Sequence, residues 1–373
     1  MTRVVVGEFL KGEKNPSIIG VGEAPTQGMR HGYVVSFNDA VSSVKRAVRM
    51  AEESSGIKIR RAFVSVSGTT LRGDVSSGGT IVSKADSEVT VLDLNNALLD
   101  CENNLNLNNK KVLKVLPISY RLDGKEILGR IEGNIGNKLE VKAIFVNCSI
   151  QHLEDLLEVI AEAGVEPIDC IPSPIAGAQI ALSKKQKIVG GALVNIGAET
   201  VSVAVFENDT LISLSSSSIG GVDVTNDIAI GLKIPLEEAE NIKLGKDVEN
   251  FPKKKIDEII DARLSDIFEL IENHLKKIKR NELLPAGIVF IGGGANISGI
   301  EDLSKTFLKL PSKVATSEMF GNMKSKLKDP AWFVALGLLI SSEKNEVYGE
   351  GAFSNFMKDV KQALKTSIKQ LMP

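Results

Sequence analysis

The sequence predicts an α/β protein of two related lobes. In each half of the chain an apolar strand hairpin is followed by amphipathic helices. Glycine-rich turns sit at strand ends in the second half, and a stretch of different, polar texture interrupts the first. A length of 373 residues suits two or more domains.

The elements follow in order. Residues 3–9 and 17–22 read as strands of a hairpin around the polar turn KGEKNP. Phe37, Val41, Val44, Val48 and Ala51 then repeat at helical spacing, with Ser36 or Asn38 to cap the start and Gly56 to stop it. RRAFVSVSG is a β-branched strand. From 69 to 149 polar strands surround one helix near Asp93, the pattern of a small inserted α+β module. Ile150, Leu153, Leu157 and Ile160 mark the inner face of the next helix, capped by Ser149 and stopped by Gly164. PSPIAGAQIAL opens another helix after Pro174.

The second half restarts with strands at 188–195, 201–206 and 211–217, then a helix after Gly220 and Gly221. Residues 235–283 are charged and mostly helical. GIVFIGGGANISGIEDLSKTFL reads as strand, glycine turn, helix, and DPAWFVALGLLI as a buried helix begun by Pro330. A cleft between two such lobes is the default ligand site.

Composition excludes several classes. A net charge of -2 gives no electrostatic case for nucleic acid. Cys101, Cys148 and Cys170 are odd in number and lack CxxC spacing, so reduced thiols are expected rather than disulfides or zinc. Three scattered histidines form no HxxxH pair. MTRVVVGEF is too short an apolar run for a signal peptide, and WFVALGLLI is about half of a membrane span.

Three motifs suggest phosphate and purine chemistry. In VNIGAETVSVAVF, Gly197 lets the backbone approach an anion, turn N–H groups can point at phosphate oxygens, and Thr200 adds a hydroxyl. Asn195 stands at the strand end where a carboxylate would organise a metal. Gly292, Gly293 and Gly294 would let a purine lie against the backbone. Glu240 and Lys243 share a helix face and could grip a ribose hydroxyl and an adenine edge. Taken singly, these motifs read equally as a hairpin turn, a tight strand–helix turn and a solvated ion pair.

Their order in one lobe, together with GGVDVTNDIAIGL, EEAENIK, IGGGANISGIEDL and DPAWFVALGLL, resembles the actin-like ATPase superfamily, and within it the FtsA family of bacterial cell-division proteins. The resemblance covers nearly the whole chain. It implies an actin-like (ribonuclease-H-like) fold, with residues 1–68 and 150–186 as the first lobe core and 69–149 as the inserted subdomain. It places the second lobe core at 187–234 and 284–342, a helical subdomain at 235–283 and a linker at 343–352. Asn195, Gly197, Thr200, Glu240, Lys243 and Gly292 to Gly294 fall on nucleotide positions, with ATP and Mg²⁺ as the implied cofactors. Arg263 falls on an arginine of the subdomain that receives the FtsZ C-terminal tail, where a bidentate fork would suit an acidic peptide.

Two departures temper this. Asn195 and Ser202 stand where the family carries acids, so binding is expected with slow hydrolysis or none. TRVVVGEF matches only the second strand of the family's first phosphate hairpin. Either the start is assigned late or the chain trimmed, or the first lobe lacks an edge strand and half its anion donors.

The tail is a separate signal. Phe353, Phe356, Met357, Val360, Leu364, Ile368 and Leu371 gather on one helical face, flanked by Lys358, Lys361, Lys365 and Lys369. Packing on the protein and docking on an anionic membrane both fit this pattern, and the resemblance favours the membrane. The reading is a nucleotide-binding scaffold, not an enzyme, that polymerises at the cytoplasmic face of the membrane at the septum and tethers FtsZ. An actin-fold ATPase or kinase and a pilus-assembly protein of the same fold are the alternatives.

Overall fold

The computed structural model describes residues 1–10, 15–246, 249, 251–316 and 325–347, with the backbone alone for 325 and 342–347. β1 (Thr2–Glu8) and β2 (Ser17–Ala24) pair antiparallel. The short pair β3 (Met29–Arg30) and β4 (Tyr33–Val34) leads into α1 (Phe37–Ser55). Gly56, left-handed at φ 71°, closes that helix onto Glu52 O as expected; the Ser36 side chain caps no N–H and donates instead to Asp39. β5 (Arg61–Val66) pairs in parallel with β10 (Glu166–Pro172), which follows α3 (Ile150–Glu162). Ser149 makes no capping hydrogen bond to α3, contrary to its sequence signal.

Between β5 and α3 lies the inserted unit, a sheet ordered β6 (Arg72–Ile81), β9 (Lys138–Ser149), β7 (Lys110–Leu122), β8 (Lys125–Ile127) with α2 (Val91–Asn103) across it. It has its own apolar core around Cys101, Leu139 and Phe145. The three cysteines are free and buried. Burial pushes the Cys148 thiol up to about 12, which makes it inert.

After α4 (Ser173–Ala181) the chain forms α5 (Lys184–Val189), begun by a Ser183–Gln186 capping box; its last two residues fall on the expected strand start at 188, and the strand begins only at Gly191. The second lobe is one sheet, β13 (Thr210–Ser217), β12 (Val201–Glu207), β11 (Gly191–Ile196), β14 (Ile288–Ile291), β15 (Ser312–Val314). α6 (Gly221–Leu232), α7 (Leu236–Lys243), α8 (Lys253–Lys277) and α9 (Ile300–Leu308) accompany it. The apolar stripe of α8 joins the same core as Val194, Val203 and Phe290, so α8 closes one face of the sheet. α10 (Phe333–Val347) follows a 3-10 turn at Pro330–Trp332.

Element order repeats between the lobes, and the differences are informative. β11 lies between β12 and β14, whereas the matching neighbours in the first lobe, β1 and β5, border an apolar groove of about 680 Å³ lined also by Val44, Leu156 and Leu338. By this symmetry the position beside β1 is central to the sheet, not the edge position that the sequence suggests. α4 of the first lobe packs on β11, while α10 of the second packs on α4, β1 and β5. One core, holding Val66, Ile175, Leu193, Trp332 and Phe333, therefore runs through both lobes. A Cβ on Gly337 would lie 1.9 Å from Ala176 O, so the two helices cross with backbones nearly touching.

Candidate nucleotide site

The β11–β12 hairpin is tight. Gly197 N–H donates to Thr200 O (2.8 Å), so this amide is spent inside the turn and is no phosphate donor. Behind it, Gly221 N–H donates to Gly197 O (2.9 Å) and Val222 N–H to Ala198 O (2.7 Å), which fixes the start of α6 against the tip. Asp223 Oδ2 accepts Gly220 N–H at 2.8 Å. The N–H groups of Ala198, Glu199 and Thr200 have no hydrogen-bond partner among the described residues. These three amides, one step along from the glycine, are the donors of the tip that could serve an anion.

Asn195, the penultimate residue of β11, lies opposite Ser202 on β12 and Ile291 on β14. This register brings it against the glycine turn. At Gly292, left-handed at φ 87°, a Cβ would lie 2.5 Å from Asn195 Oδ1 and 2.4 Å from Ile196 O. At Gly294 it would lie 2.2 Å from Ile196 Cγ2. Both glycines are small because the turn packs on β11. Gly293 between them is exposed and would place a Cβ in open space, so it alone of the three offers a free backbone surface. Gly292 N–H donates to Pro330 O (3.1 Å), and Asp329 Oδ1 accepts Asn296 Nδ2 (2.9 Å) and Ala331 N–H (2.8 Å), which holds the turn rigid. The chain after it runs as a 3-10 turn, Gly293–Asn296, with α9 starting only at Ile300. The helix N-terminus is thus further from the glycines than the sequence suggests.

Glu240 and Lys243 do share a face of α7, but the pair is not a solvated one. Lys243 Nζ donates to Glu240 Oε2 (2.6 Å), Thr225 Oγ1 (2.9 Å) and Gly221 O (3.0 Å), and its side chain is 10% exposed. All three ammonium protons are used. Lys243 therefore positions α6 and the hairpin behind it, whereas Glu240, at 45% exposure, keeps a face toward solvent.

The first lobe meets this site at the hairpin tip. Glu199 Oε2 accepts His31 N–H at 2.6 Å, and Glu199 O lies 3.1 Å from His31 Nδ1. His31 is left-handed (φ 49°). Glu199 and His31 carry no motif signal; only their register in two separate turns reveals them.

Arg263 sits on α8 away from these groups. Its fork is bidentate to Asp227 of α6, Nε to Oδ2 at 2.6 Å and Nη2 to Oδ1 at 3.0 Å, with Asp266 at 3.2 Å. The geometry expected for a tail carboxylate is thus already taken by an internal one. Phe353, Phe356, Met357, Val360, Leu364, Ile368 and Leu371 lie outside the described residues. Among the described residues no helix is long and apolar enough to cross a membrane.

Two lobes of repeated order, helices exchanged across their junction, and a glycine-lined hairpin and turn facing the gap define an actin-like protein. The fold is shared with a chain of the PilM-PilN type IV pilus biogenesis complex (TM-score 0.67, 16% identity, 91% of this chain and 94% of that one). It is also shared with the ethanolamine utilization protein EutJ from Carboxydothermus hydrogenoformans (TM-score 0.50, 18% identity, 84% and 78%). The chain belongs to the FtsA family. The family model "Cell division protein FtsA" matches residues 192–337, and "SHS2 domain inserted in FTSA" matches residues 68–147. The cell division protein FtsA of Bacillus subtilis (strain 168) is 29% identical over 91% of this chain and 80% of its own length. That of Pseudomonas aeruginosa is 27% identical over 87% and 82%.

Proposed function

We propose that the chain is an ATP-binding scaffold of the division machinery that polymerises at the cytoplasmic face of the membrane and tethers FtsZ filaments there. The supporting observation is convergence. Asn195 packs against Gly292 beside the open backbone of Gly293, the Glu240–Lys243 pair is tied to Gly221 next to Gly197, and the 197–200 tip touches the first lobe at His31. The residues fit a nucleotide: free amides of 198–200 for phosphates, Gly293 for the flat base and Glu240 for a ribose hydroxyl. Mg²⁺ would serve to neutralise phosphate charge. The hairpin gives it the Asn195 amide, through water, and no free carboxylate, since Asp223 is bound to Gly220 N–H and Glu199 to His31.

The same inventory argues for binding with little turnover. Hydrolysis needs a group that orients water at the γ-phosphate. Asn195 and Ser202 are neutral, and the one acid at the tip is held by the other lobe. Binding would then act as a switch that draws the lobes together and favours filaments, and avidity along a filament would sum weak membrane contacts by the tail.

The test is titration with a fluorescent ATP analogue. Gly293→Val places a side chain where none of the described residues lies within 4 Å, so the protein should melt as the parent does while nucleotide affinity falls about tenfold or more. Equal affinity in the variant would remove the base from this turn. For the tail, deletion of residues 353–373 should abolish sedimentation with anionic liposomes; unchanged sedimentation would place the membrane contact elsewhere. Retention on an FtsZ tail peptide tests the remaining partner.

A further inference from the structure

We infer that Glu199 is a phosphate-sensing latch that couples the hairpin tip to the inserted subdomain. The inference rests on the nucleotide reading above and adds a regulatory consequence to it. Three observations converge. First, the Glu199 carboxylate stands on the same turn as the free amides of Ala198, Glu199 and Thr200, so an anion held there lies beside a like charge. Second, this carboxylate is the acceptor for His31 N–H at 2.6 Å, a contact between residues 168 apart that joins one lobe to the other. The back of the turn is fixed to α6 through Gly197 O and Ala198 O, so strain at the tip is relieved on the His31 side.

Third, the His31 loop passes directly to the root of the insertion. His31 O accepts Thr69 N–H (3.3 Å), and a Cβ on Gly32 (φ 93°) would lie 2.5 Å from the Gly68 Cα. A Cβ on Gly68 (φ 120°) would lie 2.7 Å from His152 Cε1. Thr70 Oγ1 and His152 Nδ1 are 2.8 Å apart, and Tyr33 packs on the same imidazole with ring centroids 5.1 Å apart. Backbones at van der Waals contact do not slide freely, so a displaced His31 carries Gly68 and Thr69 with it. Without a triphosphate the latch is closed. While the lobes close on the nucleotide itself, a γ-phosphate at the tip repels the carboxylate and releases His31 N–H, so this one contact is exchanged and the root of β6 is freed to shift.

The experiment is hydrogen exchange of the amides at 28–36 and 66–72, read with no nucleotide, with ADP and with ATP, in the parent, Glu199→Gln and Glu199→Ala. Without nucleotide, Glu199→Ala should speed exchange at 28–36 about tenfold, because His31 N–H loses its acceptor; equal rates would overturn the latch whatever the site binds. In the parent, ATP but not ADP should speed exchange in both segments. Glu199→Gln keeps an acceptor and loses the charge, so it should bind ATP about tenfold tighter than the parent and show no ATP-induced change. ATP that binds the parent and leaves both segments unchanged defeats the latch alone. Failure of any nucleotide to bind the parent defeats the site reading, and the sensing role with it.

Discussion

At the scale of single residues, the site separates atoms that face a ligand from atoms that shape the turn. Gly292 and Gly294 are demanded by Ile196 and Asn195, and Gly293 by nothing among the described residues. The sequence makes all three look alike, because a glycine run records that side chains are excluded and not what excludes them. Arg263 is similar. Its helix position is legible, but its partner, 36 residues away on α6, is fixed only by packing. A half-buried bidentate pair predicts that Arg263→Ala and Asp227→Ala each cost about 1–2 kcal/mol, and that the double variant costs no more than either alone. Thermal melts of the three variants check this. Additive losses would show that the two side chains act separately and would return Arg263 to the partner face.

At the scale of elements, the helices are more legible in the sequence than their caps. α1 and α3 lie where the 3.6-residue period puts them, yet Ser36 and Ser149 cap neither. The caps that form are Thr90 on α2 and Ser183 on α5, each with a partner three residues on that completes a box. Asp93 in the first of these is fully buried. Burial alone would raise its carboxyl, but hydrogen bonds from Thr90 and Ser83 outweigh it and hold the group at about 2. A depressed folded value means that this stability is complete above the unfolded carboxylate range, near pH 4, and is lost as pH falls toward 2. Asp93→Ala should cost the inserted unit about 1–2 kcal/mol at neutral pH and flatten its acid limb. Urea melts followed by exchange within β6 and β9 report it.

At the scale of the whole molecule, the two lobes and the insertion were legible because period and glycine placement repeat between the halves. The inter-lobe contacts were not, since Glu199, His31, Ala176 and Gly337 are ordinary residues until the fold brings them together. One titrating group bridges sheet and helix on the second lobe. His274 of α8 shares a 2.9 Å hydrogen bond with Ser213 of β13. Burial, with Lys277 nearby, lowers it to about 4. A neutral imidazole in the fold and a basic one in the unfolded chain mean that stability is intact above pH 6.5 and falls as pH drops from there toward 4. The loss should reach at most roughly 3 kcal/mol, and His274→Gln should remove most of the slope in denaturant melts between about pH 7 and about pH 5.

The exchanged helices set what motion remains. Each lobe carries the other's supporting beam, and the beams touch at Ala176 and Gly337 with no side chain between them. A clamshell gape would pull α4 off β11 and α10 off β1 together, exposing the shared interior. Rotation about the contact point leaves both seated. Closure on a ligand is therefore expected as a propeller-like swivel, in which residues near the axis barely shift while the inserted sheet, seated on β13 at Gly73 and Leu214, must slide across the second lobe.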